Sequence, residues 1–103
     1  IQGKGKGGRN QEMALSAARV LAGKHSVVFL SGGTDGTDGP TDAAGGVVDG
    51  LTISRGIEKG ISGEIYLKNN DSYHYLKKTD DLLVTGPTGT NVMDIQILLI
   101  GGD

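Results

Sequence analysis

The sequence has no cysteine, no tryptophan, a single phenylalanine and only two prolines in 103 residues. Without cysteine there can be no disulfide, no thiolate metal site and no thiol nucleophile. The two histidines, His25 and His74, stand far apart in the chain and do not form a zinc motif. The apolar stretch at residues 97–100, as long as any in the chain, is far short of the ~20 residues of a membrane-spanning helix. No signal-peptide pattern is visible. Positive charge is not in excess either. The net charge of −2 and a pI near 5.6 lack the broad basic footprint of a nucleic-acid-binding protein. What remains is a small domain of cytoplasmic character, whose partners are expected to be neither nucleic acid nor membrane.

Glycine is what the chain has in plenty. Its 19 residues are roughly 2.5 times the usual share, and they do not recur at every third position as in collagen. They gather in loops between apolar segments. Residues 11–22 carry apolar positions over about three turns, which predicts a helix capped by Asn10 and stopped by Gly23. Val27, Val28, Phe29 and Leu30 read as a buried strand. After a loop at residues 31–40, Thr41 or Asp42 is expected to cap a second helix reaching about Val48. Further helical segments are expected at residues 51–59, at 62–68, and from a cap at Asn70 or Asp71 through Lys78. Residues 82–84 and 92–100 read as strands, the last with Met93, Ile95, Ile97 and Leu99 on one face and Asp94 and Gln96 on the other. Their short connection predicts antiparallel neighbours. Together these give an α/β fold, a mixed sheet flanked by helices in one small domain. The chain opens at Ile1, without methionine, almost directly into a glycine loop that a strand should feed. The expectation is an N-terminally truncated fragment of a larger two-domain protein.

Three loops carry chemistry. The first, Gly3-Lys4-Gly5-Lys6-Gly7-Gly8-Arg9-Asn10, leads into a helix. Its backbone N–H groups and the cations Lys6 and Arg9 suit an anion, against the plainer reading of a basic turn. It fits G-x-G-x-x-G, but no acidic residue ends the following strand, which excludes the dinucleotide fingerprint. The second loop is Ser31-Gly32-Gly33-Thr34-Asp35-Gly36-Thr37-Asp38-Gly39-Pro40-Thr41-Asp42. It offers N–H donors, hydroxyls and three carboxylates after a strand, where open α/β sheets bind ligands. Asp35, Asp38 and Asp42 can be read as Mg²⁺ ligands around a nucleotide. The plainer alternative is a series of Asx turns, for which the loop is overlong. Ser31 does not stand in a G-x-S-x-G elbow, which argues against a serine hydrolase. The third loop, Thr85-Gly86-Pro87-Thr88-Gly89-Thr90-Asn91, is either a phosphate cradle or a simple connection.

In this order and at these spacings, GKGKGGRNQEMAL, SGGTDGTDGPTDAAG, NNDSYHYL and TGPTGTNVMD resemble the MOFRL domain of class II glycerate kinases, a family also described as hydroxypyruvate reductase-like. The likeness runs from about Gly3 to Asp94. It implies the C-terminal domain of an enzyme that moves the γ-phosphoryl group of ATP to the 2-hydroxyl of D-glycerate, or of a related hydroxy acid, with Mg²⁺. The site would lie in a cleft shared with an N-terminal domain of the same protein, so the fragment alone should be inactive. On this resemblance Arg9, Asp35 and Asp38 are the catalytic candidates, with Asp35 and Asp38 also the metal candidates. Lys6, Gly7, Gly8, Gly32, Gly33, Thr34, Thr37, Thr88, Gly89, Thr90 and Asn91 would contact substrate or phosphate. A noncatalytic anion- or nucleotide-binding module and a hydroxypyruvate reductase are the competing readings.

Overall fold

The computed structural model describes residues 5–89 and 93–101. Gly3, Lys4, Thr90 and Asn91 of the expected loops and Val92 of the expected last strand lie outside the described residues. A long helix, α1 (Arg9–Leu21), packs on a four-stranded sheet made of β1 (Val27–Gly33), β2 (Gly45–Asp49), β3 (Leu82–Leu83) and β4 (Asp94–Ile100). Three short helices, α2 (Thr52–Glu58), α3 (Gly63–Lys68) and α4 (Ser72–Lys78), connect β2 to β3.

Buried positions of α1 fall at Gln11, Ala14, Leu15 and Ala18, the spacing of one helical face. Ala14, Leu15 and Ala18 meet Val48, Tyr75 and Leu76 in the core, and Phe29 and Leu82 pack at its margin. Small residues bring this helix close to the sheet. A Cβ on Gly46 would sit 2.9 Å from both the Ala14 Cβ and a Leu76 methyl. Gly23, with φ of +84°, ends the helix in the left-handed conformation expected of a C′ glycine. Ser62 caps α3 by accepting from the Ile65 N–H.

The strand order is β3-β2-β1-β4, and every pairing is antiparallel. The α/β class therefore stands, with helices against the sheet, but the sheet is antiparallel rather than mixed. β3 and β4 are not neighbours, as their short connection had suggested. They form opposite edges, because β1 pairs with β4 along its whole length and β2 takes β3. The expected helix ending near Val48 is the strand β2. The run of small and apolar residues Ala43-Ala44-Gly45-Gly46-Val47-Val48 has no period that separates helix from strand. Pairing with β1 decides it, at a Gly45 so close that a Cβ would fall 1.8 Å from the Ser31 carbonyl oxygen. β1 also runs on through Gly33, which turns Ser31, Gly32 and Gly33 from loop into strand. Asn10 is not the cap of α1. It occupies the second helical position after an extended Gly8.

Candidate functional site

The glycine loop at residues 5–8, the acidic loop, the turn before α4 and the threonine loop at residues 85–89 meet near the start of α1. The Gly5 N–H donates to the Asn69 carbonyl and the Lys6 N–H to an Asp71 carboxylate oxygen at 3.0 Å. The Thr88 hydroxyl donates to the Thr34 carbonyl, and the Thr88 N–H to that of Asp35. Gly36, with φ of +85°, lies so near the Gly86 carbonyl that no side chain fits there. The threonine loop thus buttresses the acidic one.

Asp38 is the centre of the arrangement. It is 4% exposed and reaches the N-terminus of α1 from the neighbouring loop. One carboxylate oxygen accepts from the Asn10 N–H at 3.0 Å and the Asn10 side-chain amide at 3.3 Å. The other accepts from the Gln11 N–H at 2.8 Å and the Gln11 side-chain amide at 2.9 Å. This is what an N-cap side chain does, carried out from a distant residue. The anion-attracting end of α1 is already filled by an anion of the protein itself. Gly8 makes this possible, since a Cβ there would lie 2.5 Å from the Asp38 carboxylate carbon.

Asn10 extends the network. Its side-chain carbonyl accepts from the Ser31 hydroxyl at 2.8 Å, and its amide also donates to Asp94 at 3.0 Å. Asp94 in turn binds the Arg9 Nε at 2.5 Å. The Asn10 hydrogen bond, then that of Arg9, holds the Asp94 carboxylate below its ordinary range. The same contact raises Arg9 further above its ordinary value, so Arg9 stays charged. With Nε engaged, the two terminal nitrogens of the largely exposed guanidinium have no partner among the described residues. They form a fork suited to a carboxylate or phosphate.

A cavity of about 380 Å³ opens here, lined by Arg9, Asn10, Asp35, Thr37, Asp38, Gly39 and Asp94. Asp35 differs from Asp38 in its surroundings. Among the described residues its oxygens accept only from the N–H and hydroxyl of Thr37, two residues on, in an exposed Asx turn. Among the described residues no three His, Cys, Asp or Glu side chains are grouped as a metal site.

Of the expected site residues, Arg9, Asp35, Thr37 and Asp38 line this cavity, and Gly7, Gly8 and Gly33 form the backbone behind them. Lys6 points elsewhere: its Nζ lies 4.5 Å from the centre of the Tyr73 ring, whose hydroxyl donates to Asp42 at 2.9 Å. Asp42 is thereby occupied outside the cavity. Gly32 faces the uncovered side of the sheet, beside Leu83. Thr34 donates its N–H to the Met93 carbonyl, and Thr88 and Gly89 are exposed on the buttressing loop. Sequence reasoning passed over Asp94 and took Asn10 for a cap. The available signal was the polar pair Asp94 and Gln96 opposite the apolar face of the last strand. Gln96 does reach inward, donating to the Ser31 hydroxyl at 3.3 Å.

The MOFRL family matches residues 1–94. The D-glycerate 2-kinase of Thermotoga maritima is 61% identical over 97% of this chain, and the Glycerate 2-kinase of Pyrococcus horikoshii 55% identical over 97%. The matches cover 24% and 23% of those two proteins, so the chain spans about a quarter of their length. Among solved structures, a glycerate kinase from Thermotoga maritima superposes with a TM-score of 0.96 at 60% identity, over 98% of this chain and 24% of that one. A Pyrococcus horikoshii protein gives 0.93 at 54% identity, over 100% and 24%.

Proposed function

The chain belongs to the MOFRL family, and from that premise we propose that it supplies one wall of the active site of an ATP-dependent glycerate 2-kinase. In this reading the longer protein transfers the γ-phosphoryl group of ATP to the 2-hydroxyl of D-glycerate. The site lies in a cleft between this domain and an N-terminal one. Phosphoryl transfer asks a protein chiefly for positioning and charge neutralisation. The observation that carries the reading is the Arg9 guanidinium, held through Nε by Asp94 in a polar cavity with no partner for its terminal fork among the described residues. Arg9 binds the substrate carboxylate or a phosphate oxygen, and Asp94 is its positioning residue.

Mg²⁺ belongs to the proposal because ATP is used with it, and the two metal candidates fit it differently. Asp35, whose carboxylate is bonded to its own turn, can hold the ion beside phosphate oxygens, the usual mode for Mg²⁺. Asp38 does not fit, since four N–H donors already take its two oxygens. The ion would supply neutralisation of phosphate charge. Asp38 instead holds the start of α1, and therefore Arg9, in place.

The test is to incubate the full-length gene product with ATP, Mg²⁺ and D-glycerate and to identify the phosphorylated carbon. Carbon 2 is expected, and carbon 3 would sink the assignment. Arg9→Lys should raise KM for glycerate, since an ammonium cannot replace a bidentate fork. These 103 residues alone should not turn over substrate.

A further inference from the structure

The apolar surface of this domain is concentrated at one edge of its sheet. β4 is an edge strand of seven residues, and Ile95, Ile97, Leu98, Leu99 and Ile100 are between 39% and 74% exposed. Side chains alternate across a strand, so both faces of β4 are affected. On the helix side, Met13, Val20, Phe29 and Leu98 line an apolar groove of about 380 Å³. On the other side, Leu30, Leu83, Ile95 and Ile97 line a second, of about 190 Å³. An isolated exposed leucine needs no explanation, whereas a continuous apolar patch does.

The two edges of the sheet are built differently. β3 has two residues, and a short edge needs no protection. β4 is long, and from Ile95 to Ile100 it contains no charge and no proline. Natural sheets guard such an edge with lysine, proline or a bulge, or cover it. None of the first three is present in β4, and among the described residues no other strand pairs with its outer edge.

We propose that the free edge of β4 accepts an additional β-strand, apolar on both faces, from the same polypeptide outside these residues. The inference rests on the reading that this domain is part of a longer kinase. The relatives matched here extend to about four times the matched length, so strand-bearing chain is available in them. A strand tethered in the same chain is present at an effective concentration that a second copy does not reach. Strand addition supplies main-chain hydrogen bonds, while both grooves receive alternate side chains of the incoming strand.

Hydrogen exchange read by NMR on the active full-length protein and on the 103-residue chain tests this. Every second amide of β4 points away from β1. These outward amides should exchange at least about tenfold more slowly in the longer protein, independently of protein concentration. Equal exchange in the two, with glycerate phosphorylation intact, would overturn the added strand and leave the kinase reading standing. Protection that disappears when the longer protein is diluted to monomers would also overturn it, because the occupant would then be a second copy. Protection in a longer protein with no activity on glycerate would support the strand and remove the proposed function instead.

Discussion

Replacing Asp38 by alanine separates two roles for this carboxylate that predict effects of opposite sign. If it holds the start of α1, the fold loses its acceptor for the N–H groups of Asn10 and Gln11 and for both side-chain amides. Loss of an N-cap costs about 0.5–2 kcal/mol. A buried amide left without its acceptor costs about 1–3 kcal/mol. Gln11 keeps bonds to the Asp38 carbonyl and the Thr41 hydroxyl, so the lower part of that range applies to it. Because the groups share one network their losses do not simply add, and the expected total is about 2–4 kcal/mol. For a domain of this size that lowers Tm by roughly 10–25 °C. Asp38→Asn keeps the shape but turns an NH₂ toward N–H donors, so it should cost nearly as much. Urea unfolding of this chain followed by circular dichroism, without metal or nucleotide, gives the number. A carboxylate kept ready for a cation would instead repel Asp35 and Asp94, and its removal would stabilise the empty protein. An Asp38→Ala variant as stable as the parent, or more so, would refute the capping argument.

Other outcomes follow from single contacts. Gly56→Ala should destabilise by about 1–3 kcal/mol in the same assay, although alanine is the better helix former, because its Cβ would lie 2.1 Å from the buried Tyr75 hydroxyl. Arg55→Ala should cost more than the double change with Asp81→Asn, since the single change strands a carboxylate that burial already pushes above its ordinary value. Asp94 should titrate below the ordinary 3.8 when followed through its carboxyl carbon by NMR. Its contribution to stability is then fully present above 3.8 and is lost as pH falls through the depressed folded value. An unshifted Asp94 would remove the basis for calling it the positioning residue of Arg9.

The parts of the fold legible in the sequence were those set by local chemistry. The helical course of α1, its Gly23 stop and the alternation in β4 were read from spacing, whereas the buried face of α1 at Gln11, Ala14, Leu15 and Ala18 was not. β2 was not, because Gly45 and Gly46 are poor strand formers whose state is fixed by close pairing with Ser31 and Gly32. Strand order was illegible for a similar reason: a short connection between β3 and β4 made pairing plausible, while β1 and β2 supplied the actual partners. At the site, composition marked the acidic loop as special but did not separate its carboxylates. Asp35, Asp38 and Asp42 look alike in sequence. They differ in whether Thr37, the start of α1 or Tyr73 stands opposite, and these partners come from turns and helices that only the folded chain brings near.

The reach of Asp38 to α1 also bears on engineering. Surface loops are commonly exchanged, lengthened or grafted as independent parts. Residues 34–42 do not behave as such a part here, because the helix borrows its terminating group from them and Gly8 leaves nothing of its own to substitute. Shortening or transplanting the loop would fray a helix far away in sequence. The same graft would need the glycine before α1 and the aspartate in the loop to be carried together.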